Sequence, residues 1–250
     1  MAHIPRLFVE ADLVESSDIA LDEKQSGYLI RVMRLKSDSI ARAFNGRDGE
    51  WQCTLTVAGK RASITPLKQL RPQTSVPELT LAFAPIKKDR TQFIVEKATE
   101  LGVRCIIPVV TQYTQHARIK IDKLKLTAIE AAEQTERMDI PKISEPVALT
   151  KALSQLGSDR DIYFCDESGD AVPMHKACVG REIRPVTILI GPEGGFSPEE
   201  RELIRSRDNV IPVTLGPRIL RAETAVVSAL TLWQSQVGDW QKQPYLAKSE

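Results

Sequence analysis

Two glycine-bearing segments in the second half of the sequence combine residue types that suit a ligand pocket. The first, LIGPEGGFS at 189–197, leaves an apolar stretch, turns on three glycines and enters the helix-starting sequence SPEE. Glycines let the backbone approach a ligand closely because they carry no Cβ, and N–H groups near a helix N-terminus bind anions. We interpret this segment as a ligand loop; the alternative is a plain strand-to-helix turn.

The second segment, LGPRILRAET at 215–224, follows another apolar stretch and holds two arginines and a glutamate in irregular chain. Ile219 and Leu220 can form the wall of an apolar slot, while Arg221 and Glu223 can face a polar substrate. The alternative is a structural ion pair between Arg221 and Glu223, because such pairs also occur without any catalytic role.

The glycine loop matches neither of the common nucleotide-binding fingerprints. The patterns GxGxxG and GxxxxGK[ST] do not occur in the sequence. A Rossmann-type protein also places its glycine loop after the first strand of the sheet, whereas this loop follows the fourth apolar run of strand length. The order of the segments therefore counts against both nucleotide-binding folds.

A third segment, APIKKDR at 84–90, places three cations directly after the first of these apolar runs. Lys87, Lys88 and Arg90 can hold phosphates through charge and, for arginine, through a fork of donors. A solvated helix start is the alternative. Because the helix dipole disfavours cations at that end, a phosphate partner explains them better.

The elements that must position these segments are short apolar runs at 79–84, 105–110, 162–165, 186–190 and 210–215. Such runs separated by helices predict an α/β fold with a parallel sheet covered on both faces. We expect one helix capped by Asp89 and ended by Gly102, one at 121–137, and one started by the capping box at Ser197. A last helix is expected to be capped by Thr224.

The sequence predicts four regions. Residues 1–72 have the short strands and turn signals of a small β-barrel or sandwich, and 73–77 resemble a linker. Residues 78–240 form the sheet-bearing domain, and 241–250 are expected to be a flexible tail.

The charge distribution is uneven although the net charge is only +1. Ten basic and three acidic residues between Lys24 and Arg71 make that segment net +7, and therefore the remainder net −6. The block indicates either a face that binds a polyanion or chance clustering on a solvated surface, and the sequence leaves both open.

The composition is that of a globular protein, and it excludes several classes. No apolar run is long enough to cross a bilayer, and the first residues lack the pattern of a signal peptide, so we expect a cytoplasmic protein. The four cysteines and three histidines are scattered, which predicts reduced thiols and no metal site. These residues are Cys53, Cys105, Cys165, Cys178, His3, His116 and His175.

Four segments in order, KKDRTQFIVEKATELGV, EAAEQTER, LIGPEGGFSPEE and LGPRILRAETA, closely resemble the RsmE-type ribosomal RNA methyltransferases of the SPOUT superfamily. The resemblance runs from Arg6 to about Trp233. It implies a C-terminal SPOUT domain with a trefoil knot and an N-terminal PUA-like β-barrel that binds RNA. It further implies S-adenosylmethionine as the cofactor, bound bent in the knot between the loops 189–195 and 215–222. The implied enzyme is a homodimer whose substrate site is shared between subunits.

The reaction implied by the resemblance is methylation of N3 of one uridine in 16S RNA of the small ribosomal subunit. The matching positions implied to bind the cofactor are Leu189, Ile190, Gly191, Glu193, Gly194, Leu215, Gly216, Ile219, Leu220 and Ala222. Those implied to bind RNA are Arg6, Arg31, Arg34, Lys87, Lys88, Arg90 and Arg137. For catalysis, Glu223 is the candidate acceptor of the N3 proton and Arg221 the candidate partner of the developing oxygen charge.

The sequence departs from the family at several positions expected to face RNA. Tyr28 stands where the family usually has histidine, Met33 where it has leucine, and Glu136 and Asp139 make the end of the second helix more acidic. Three alternatives remain at this point. They are a methyltransferase acting on another rRNA or tRNA base, a non-catalytic RNA-binding factor, and a nucleotide-dependent α/β protein.

Overall fold

The computed structural model describes residues 4–167 and 170–243, and it divides the chain into two compact units. The first unit runs up to Ser75 and also includes Ala132–Ile140; the second contains Val76–Ala131 and the chain from Pro141 onward. The boundary at 75/76 lies within the segment expected to be a linker. The inclusion of 132–140 in the first unit was not predicted. Most of the expected tail, residues 244–250, lies outside the described part of the chain.

The first unit is built on a five-stranded sheet. Its strands are β1 (Arg6–Phe8), β2 (Ile19–Ala20), β3 (Ile40–Phe44), β4 (Glu50–Ala58) and β5 (Arg61–Arg71), in the order β1-β3-β4-β5-β2. Only β1 and β3 pair in parallel. A short helix α1 (Glu23–Gly27) and a π-helical turn (Tyr28–Val32) connect β2 to β3. The prediction of short strands and turns is confirmed.

Residues 132–140 belong to this unit because a buried ion network and an apolar cluster hold them there. Glu50 on β4 is fully buried and accepts from Arg6 and, at 3.0 Å, from Nε of Arg71. Glu136 accepts from Arg42 and from Arg71 at 2.9 Å. Arg6 also donates to the backbone oxygens of Ala132 (2.5 Å) and Arg137 (2.7 Å). The apolar side chains of Phe44, Ala132 and Met138 form a cluster beside these ion pairs.

The second unit is built on a parallel sheet whose longer strands match the five predicted runs. They are β6 (Leu79–Phe83), β7 (Cys105–Val110), β10 (Asp161–Cys165), β12 (Val186–Ile190) and β13 (Val210–Thr214). Three two-residue strands complete it: β8 (Lys142–Ile143), β9 (Val147–Ala148) and β11 (Val172–Pro173). The order is β11-β13-β10-β12-β6-β7-β8, with β9 also paired to β7. All these pairings are parallel, as predicted. The trefoil knot stays a prediction.

The helices of the second unit are α2 (Lys88–Glu100), α3 (Ile121–Gln134), α4 (Leu149–Leu156), α5 (Met174–Ala177), α6 (Pro198–Arg205) and α7 (Ala222–Gln236). Two predicted caps were wrong. The oxygen of Lys87 already accepts from N of Thr91, so α2 begins before Asp89. The oxygen of Arg221 accepts from N of Ala225, so α7 begins before Thr224. These backbone hydrogen bonds depend on where the preceding loop enters the helix. The types of the side chains do not reveal that position.

The predicted capping box at the start of α6 is confirmed. Ser197 Oγ accepts from N of Glu200 at 3.2 Å, and the Glu200 carboxylate accepts from N of Ser197 at 3.0 Å. Because N-cap side chains satisfy otherwise unpaired N–H groups, we expect Ser197→Ala to lower the free energy of unfolding by about 1 kcal/mol. Urea unfolding measures this change. Ser154→Ala, which removes only an exposed local bond in α4, is the control. An equal loss in both variants would contradict the importance of the cap.

Three further features of the described residues concern disulfide bonds, metal binding and membrane-spanning helices. None of the four cysteines forms a disulfide. Within residues 4–167 and 170–243, no group of three or more potential ligands is placed to hold a metal ion. No helix in that part of the chain has the length and apolar character to span a membrane.

Candidate ligand pocket and active site

A pocket of about 590 Å³ lies at the carboxyl ends of four neighbouring strands, β11, β13, β10 and β12. Its size is in the usual range of small-molecule sites, and the carboxyl edge is where open α/β sheets bind ligands. Apolar walls come from residues such as Ile190, Phe196 and Leu215. The sheet order brings together the loops after β12 and β13, although Gly191 and Gly216 are 25 positions apart in sequence.

Eight of the ten predicted cofactor positions line this pocket: Ile190, Gly191, Glu193, Leu215, Gly216, Ile219, Leu220 and Ala222. Leu189 does not, because its side chain packs in the core with Phe164; adjacent residues of a strand point to opposite faces. Gly194 is also outside the lining and lies against Tyr113 instead. Cofactor binding by Leu189 and Gly194 therefore stays a prediction, and it would have to come from their backbone rather than from a side chain in the pocket.

The end of β10 contributes a part of the pocket that was not predicted from the sequence. Cys165, Asp166 and Glu167 line the pocket, and so does Arg201 of α6. The signal was present, because Asp-Glu directly follows the apolar run IYFC, and the carboxyl ends of parallel strands share one edge. Burial raises the pKa of the Cys165 thiol, with the charge of Asp166 as a further cause. The thiol is therefore protonated and is a poor nucleophile.

Asp166 holds α6 against the end of β10. Its carboxylate is buried and accepts from Arg201 and, at 2.9 Å, from Nε of Arg205. Hydrogen bonds to Asp170 and Asp166 raise the pKa of Arg205. Glu167 binds Arg201 at 3.3 Å. These pairs hold the helix that follows the GPEGG loop and so fix one side of the pocket.

Two glycines of the GPEGG loop are constrained, Gly191 by close packing against buried Phe196 and Gly195 mainly by its backbone conformation. A Cβ on Gly191 would lie 2.6 Å from Cε2 of Phe196, and one on Gly195 would lie 2.8 Å from Oε1 of Glu167. Gly195 also has a φ of +68°, which glycine adopts far more readily than other residues. These constraints explain why glycine stands at both positions, and they fit a ligand loop and a plain strand-to-helix turn alike.

The start of α6 is not an anion site, contrary to the expectation from its position. Its first turn carries Glu199 and Glu200, and the Glu200 carboxylate also accepts from N of Gln112 at 2.8 Å. The Glu200 carboxylate and Ser197 Oγ already bind the N–H groups of Ser197 and Glu200, and the two carboxylates repel a further anion. The pocket is therefore unsuited to a phosphate held by the end of this helix.

Glu223 pairs with Arg90 rather than with Arg221. Nε of Arg90 lies 3.5 Å from Oε1 of Glu223, and its Nη1 lies 3.7 Å from Oε1 of Glu193 at the pocket. Oε2 of Glu223 is buried and has no hydrogen-bond partner among the described residues. Arg221 is exposed and forms no ion pair within the described chain. The arrangement leaves one buried carboxylate oxygen and one available guanidinium beside the pocket.

Five of the predicted RNA-binding residues have exposed or half-buried side chains, and two do not. Lys87, Lys88, Arg31 and Arg34 are exposed, and half-buried Arg90 is bound to two carboxylates. The prediction that Arg6 and Arg137 face RNA was wrong, because these residues are only 5% and 8% exposed. Arg6 is used in the ion network of the first unit, and Arg137 pairs with Asp139 at 2.9 Å. Glu136, expected to face RNA, also belongs to that network.

Family models match both units of the chain. Residues 72–234 match the model of an RNA methyltransferase domain, and residues 21–65 match the model of an RNA methyltransferase PUA domain. Together with the parallel sheet and its pocket, these matches define the class of the protein. It is an α/β RNA methyltransferase with an N-terminal PUA domain.

Similar proteins narrow this class to one family. The sequence is 34% identical to ribosomal RNA small subunit methyltransferase E of Rickettsia conorii, covering 90% of this chain and 93% of that protein. It is 30% identical to the protein of that name from Buchnera aphidicola subsp. Acyrthosiphon pisum, over 95% of each. The chain belongs to the ribosomal RNA small subunit methyltransferase E family.

Two solved structures share the fold over nearly the whole chain. A ribosomal RNA small subunit methyltransferase E from Neisseria gonorrhoeae, bound to S-adenosyl methionine, has a TM-score of 0.84 and 26% identity, covering 95% of this chain and 100% of that one. A methyltransferase from Legionella pneumophila, in complex with the bound cofactor SAM, has a TM-score of 0.84 and 27% identity, covering 95% and 99%.

Proposed function

We propose that this protein transfers a methyl group from S-adenosylmethionine to N3 of one uridine in 16S RNA of the small ribosomal subunit. The observation that carries the proposal is the pocket at the carboxyl edge of the sheet, built from the GPEGG and LGPRILRAET loops in a chain of this family. The two loops make one site, and Glu223 lies beside it.

The residues at the pocket suit S-adenosylmethionine, which supplies a methyl group activated by a sulfonium. The apolar walls suit an adenosine base and a methylene chain, and the glycines of the GPEGG loop carry no Cβ that would keep a ligand from the backbone. The lining is also polar, with the carboxylates of Asp166, Glu167 and Glu193 beside the guanidinium groups of Arg201 and Arg218, as suits a ligand that carries both positive and negative groups. The capped, acidic start of α6 weighs against the rival function, a nucleotide-dependent protein that holds phosphates there.

Three side chains carry the proposed chemistry. Ala222 and Ala225 line the pocket, so the first turn of α7 places Glu223 next to it. We assign Glu223 as the acceptor of the uridine N3 proton, because its Oε2 is buried and lacks a partner. Exposed Arg221 is assigned to the charge that develops on the base oxygen. Arg90 is a positioning residue that binds Glu223 and Glu193 together.

The proposed substrate is a base that has left its stack. A uridine N3 lies on the Watson–Crick edge, so an enzyme reaches it in a loop, in a splayed strand or after flipping. We further propose that the protein acts in the cytoplasm as a homodimer whose subunits share the substrate site. Sedimentation velocity tests the dimer, and mixing Glu223→Gln subunits with subunits altered in the cofactor loop tests the sharing.

Loss of a single modification is the test of the proposed reaction. Methylation at N3 blocks Watson–Crick pairing, so reverse transcriptase stalls at the modified uridine. In 16S RNA from cells with and without the gene, we expect one stop to disappear. Unchanged stops throughout would overturn the proposal, and RNA binding without any methyl incorporation would favour the non-catalytic factor. Free RNA and assembled subunits are compared as substrates in vitro.

Gly191→Ala tests the pocket without relying on turnover. Because the new Cβ would lie 2.6 Å from Phe196, we expect the Kd for S-adenosylmethionine to rise at least about tenfold through the altered loop. Calorimetry measures this, with ATP as a ligand that should not bind. Gly59→Ala is the control for the loss of a glycine away from the pocket, since a Cβ there meets no atom within 4 Å. Unchanged cofactor affinity in a folded Gly191→Ala protein would contradict the pocket.

A further inference from the structure

The loop after β7 and the start of α3 form a cationic surface that no predicted site includes. We propose that residues 113–125, here called the basic segment, bind the phosphates and an unpaired base of the RNA substrate together with Lys87 and Lys88. The inference rests on the proposed function and adds the surface that would hold the RNA next to the pocket.

The charge of the basic segment is unbalanced. Arg118, Lys120, Lys123 and Lys125 are exposed, and Asp122 is the only acidic residue between 113 and 125. None of the four cations forms an ion pair with a residue in the described part of the chain. Lys123 lies in the first turn of α3, where the helix dipole disfavours a cation. A row of uncompensated cations fits the phosphates of a nucleic acid.

The basic segment is attached to the cofactor loop. It begins in a turn in which N of Thr111 donates to Oγ1 of Thr114 at 2.9 Å. N of Gln112 donates to Glu200 in the first turn of α6, and Tyr113 lies against Gly194, 3.3 Å from the position of a Cβ there. The sugar-phosphate backbone of an RNA bound at the basic segment would therefore pass directly beside the GPEGG loop.

Lys87 and Lys88 extend the same surface. They follow β6, which lies between β7 and β12 in the sheet. Because the carboxyl ends of parallel strands meet at one edge, the loops after β7, β6 and β12 are neighbours there. Both lysines are exposed and unpaired within the described chain. Cations from two loops thus lie next to the loop that forms the pocket.

Tyr113 indicates that the occupant is single-stranded. Its side chain is 42% exposed at the junction between the cations and the GPEGG loop. Exposed aromatic rings among cations bind unpaired bases by stacking, whereas a duplex presents phosphates and no base faces. We therefore infer an unpaired stretch of RNA, with one base on Tyr113 and its phosphates on the lysines.

The test compares two variants that lose the same charge. One carries Lys120→Gln, Lys123→Gln and Lys125→Gln; the control carries Lys142→Gln, Lys151→Gln and Lys242→Gln, which are exposed lysines elsewhere in the second unit. Fluorescence anisotropy with a single-stranded 16S fragment gives Kd against salt. We expect the slope of log K against log salt to fall by about 2 in the first variant only, as for three lost phosphate contacts.

Further variants and readouts separate this surface from other effects. Lys120→Arg, Lys123→Arg and Lys125→Arg together should restore binding, and Tyr113→Ala should weaken it about tenfold while Tyr113→Phe does not. The Kd for S-adenosylmethionine and the oligomeric state should stay unchanged. The inference would be overturned if the two lysine variants had equal salt slopes. It would also be overturned if duplex RNA competed as well as single-stranded RNA for the protein, or if the weaker RNA binding resulted from dissociation of the subunits. If the unaltered protein bound RNA but transferred no methyl group, the proposed function would fail instead.

Discussion

Glu223→Gln is expected to lower kcat at least about a hundredfold, the usual contribution of a general base. Glutamine keeps the shape of the side chain and an oxygen that can accept from Arg90, but it cannot take up the proton of uridine N3. The Kd for S-adenosylmethionine should change little, because Ala222 and Ala225 of the same helix, rather than Glu223, line the pocket. The loss should therefore appear in kcat and leave cofactor binding intact.

Single-turnover methyl transfer to 16S RNA, with calorimetry for the cofactor, measures both quantities. Glu96→Gln is the matched control, since Glu96 is also a glutamate paired with a cation, Lys97, but is not among the described residues that line the pocket or pair with Arg90. It should retain full activity. If Glu223→Gln and Arg221→Ala both kept normal turnover and cofactor affinity, the two assigned roles would be wrong, and another group would have to accept the proton.

The second large effect concerns stability rather than catalysis. Glu50→Gln is expected to lower the free energy of unfolding of the first unit by about 3–5 kcal/mol, as when one partner of a buried ion pair is lost. Glu50 is fully buried and accepts from Arg6 and Arg71, with Arg42 at 3.5 Å. The neutral amide would remove the buried negative charge that these guanidinium groups share.

Hydrogen exchange followed by mass spectrometry measures this effect separately in each unit. Peptides from β3, β4 and β5 should exchange faster in Glu50→Gln, while peptides from β6 and β12 serve as an internal reference. Asp12→Asn is the control, because the pair of Asp12 with Arg47 is exposed and such pairs contribute at most about 1 kcal/mol. A change in Glu50→Gln no larger than that of the control would contradict the role of the network.

The same network accounts for Glu136, one of the two acidic departures noted after α3. Glu136 has a φ of +60°, an unusual conformation for a residue other than glycine. Its carboxylate binds Arg42 and Arg71. Burial alone would raise the pKa of Glu136, but hydrogen bonding and the charges of the nearby arginines lower it overall. The acidic residue that sequence comparison placed at an RNA surface therefore helps to hold the first unit together.

Much of the fold could be predicted because its strongest signals are local. Each long strand of the parallel sheet is a run of apolar residues, and burial on both faces produces such a run wherever it occurs in the chain. The strands β8, β9 and β11 were missed, since two residues show no periodicity. The capping box at Ser197 was found from its spacing, whereas the starts of α2 and α7 depended on the backbone of the preceding loops.

The sequence by itself determined the two loops of the pocket and the strand that precedes each of them. Glycine spacing and the end of an apolar run are properties of neighbouring residues, so they can be seen without the fold. Only the tertiary structure decided which charges meet. Arg90 and Glu223 are 133 positions apart, and so are Arg6 and Asp139, yet only the first two form a pair. Ion pairs over such distances depend on strand order and burial, which alternation and composition do not encode.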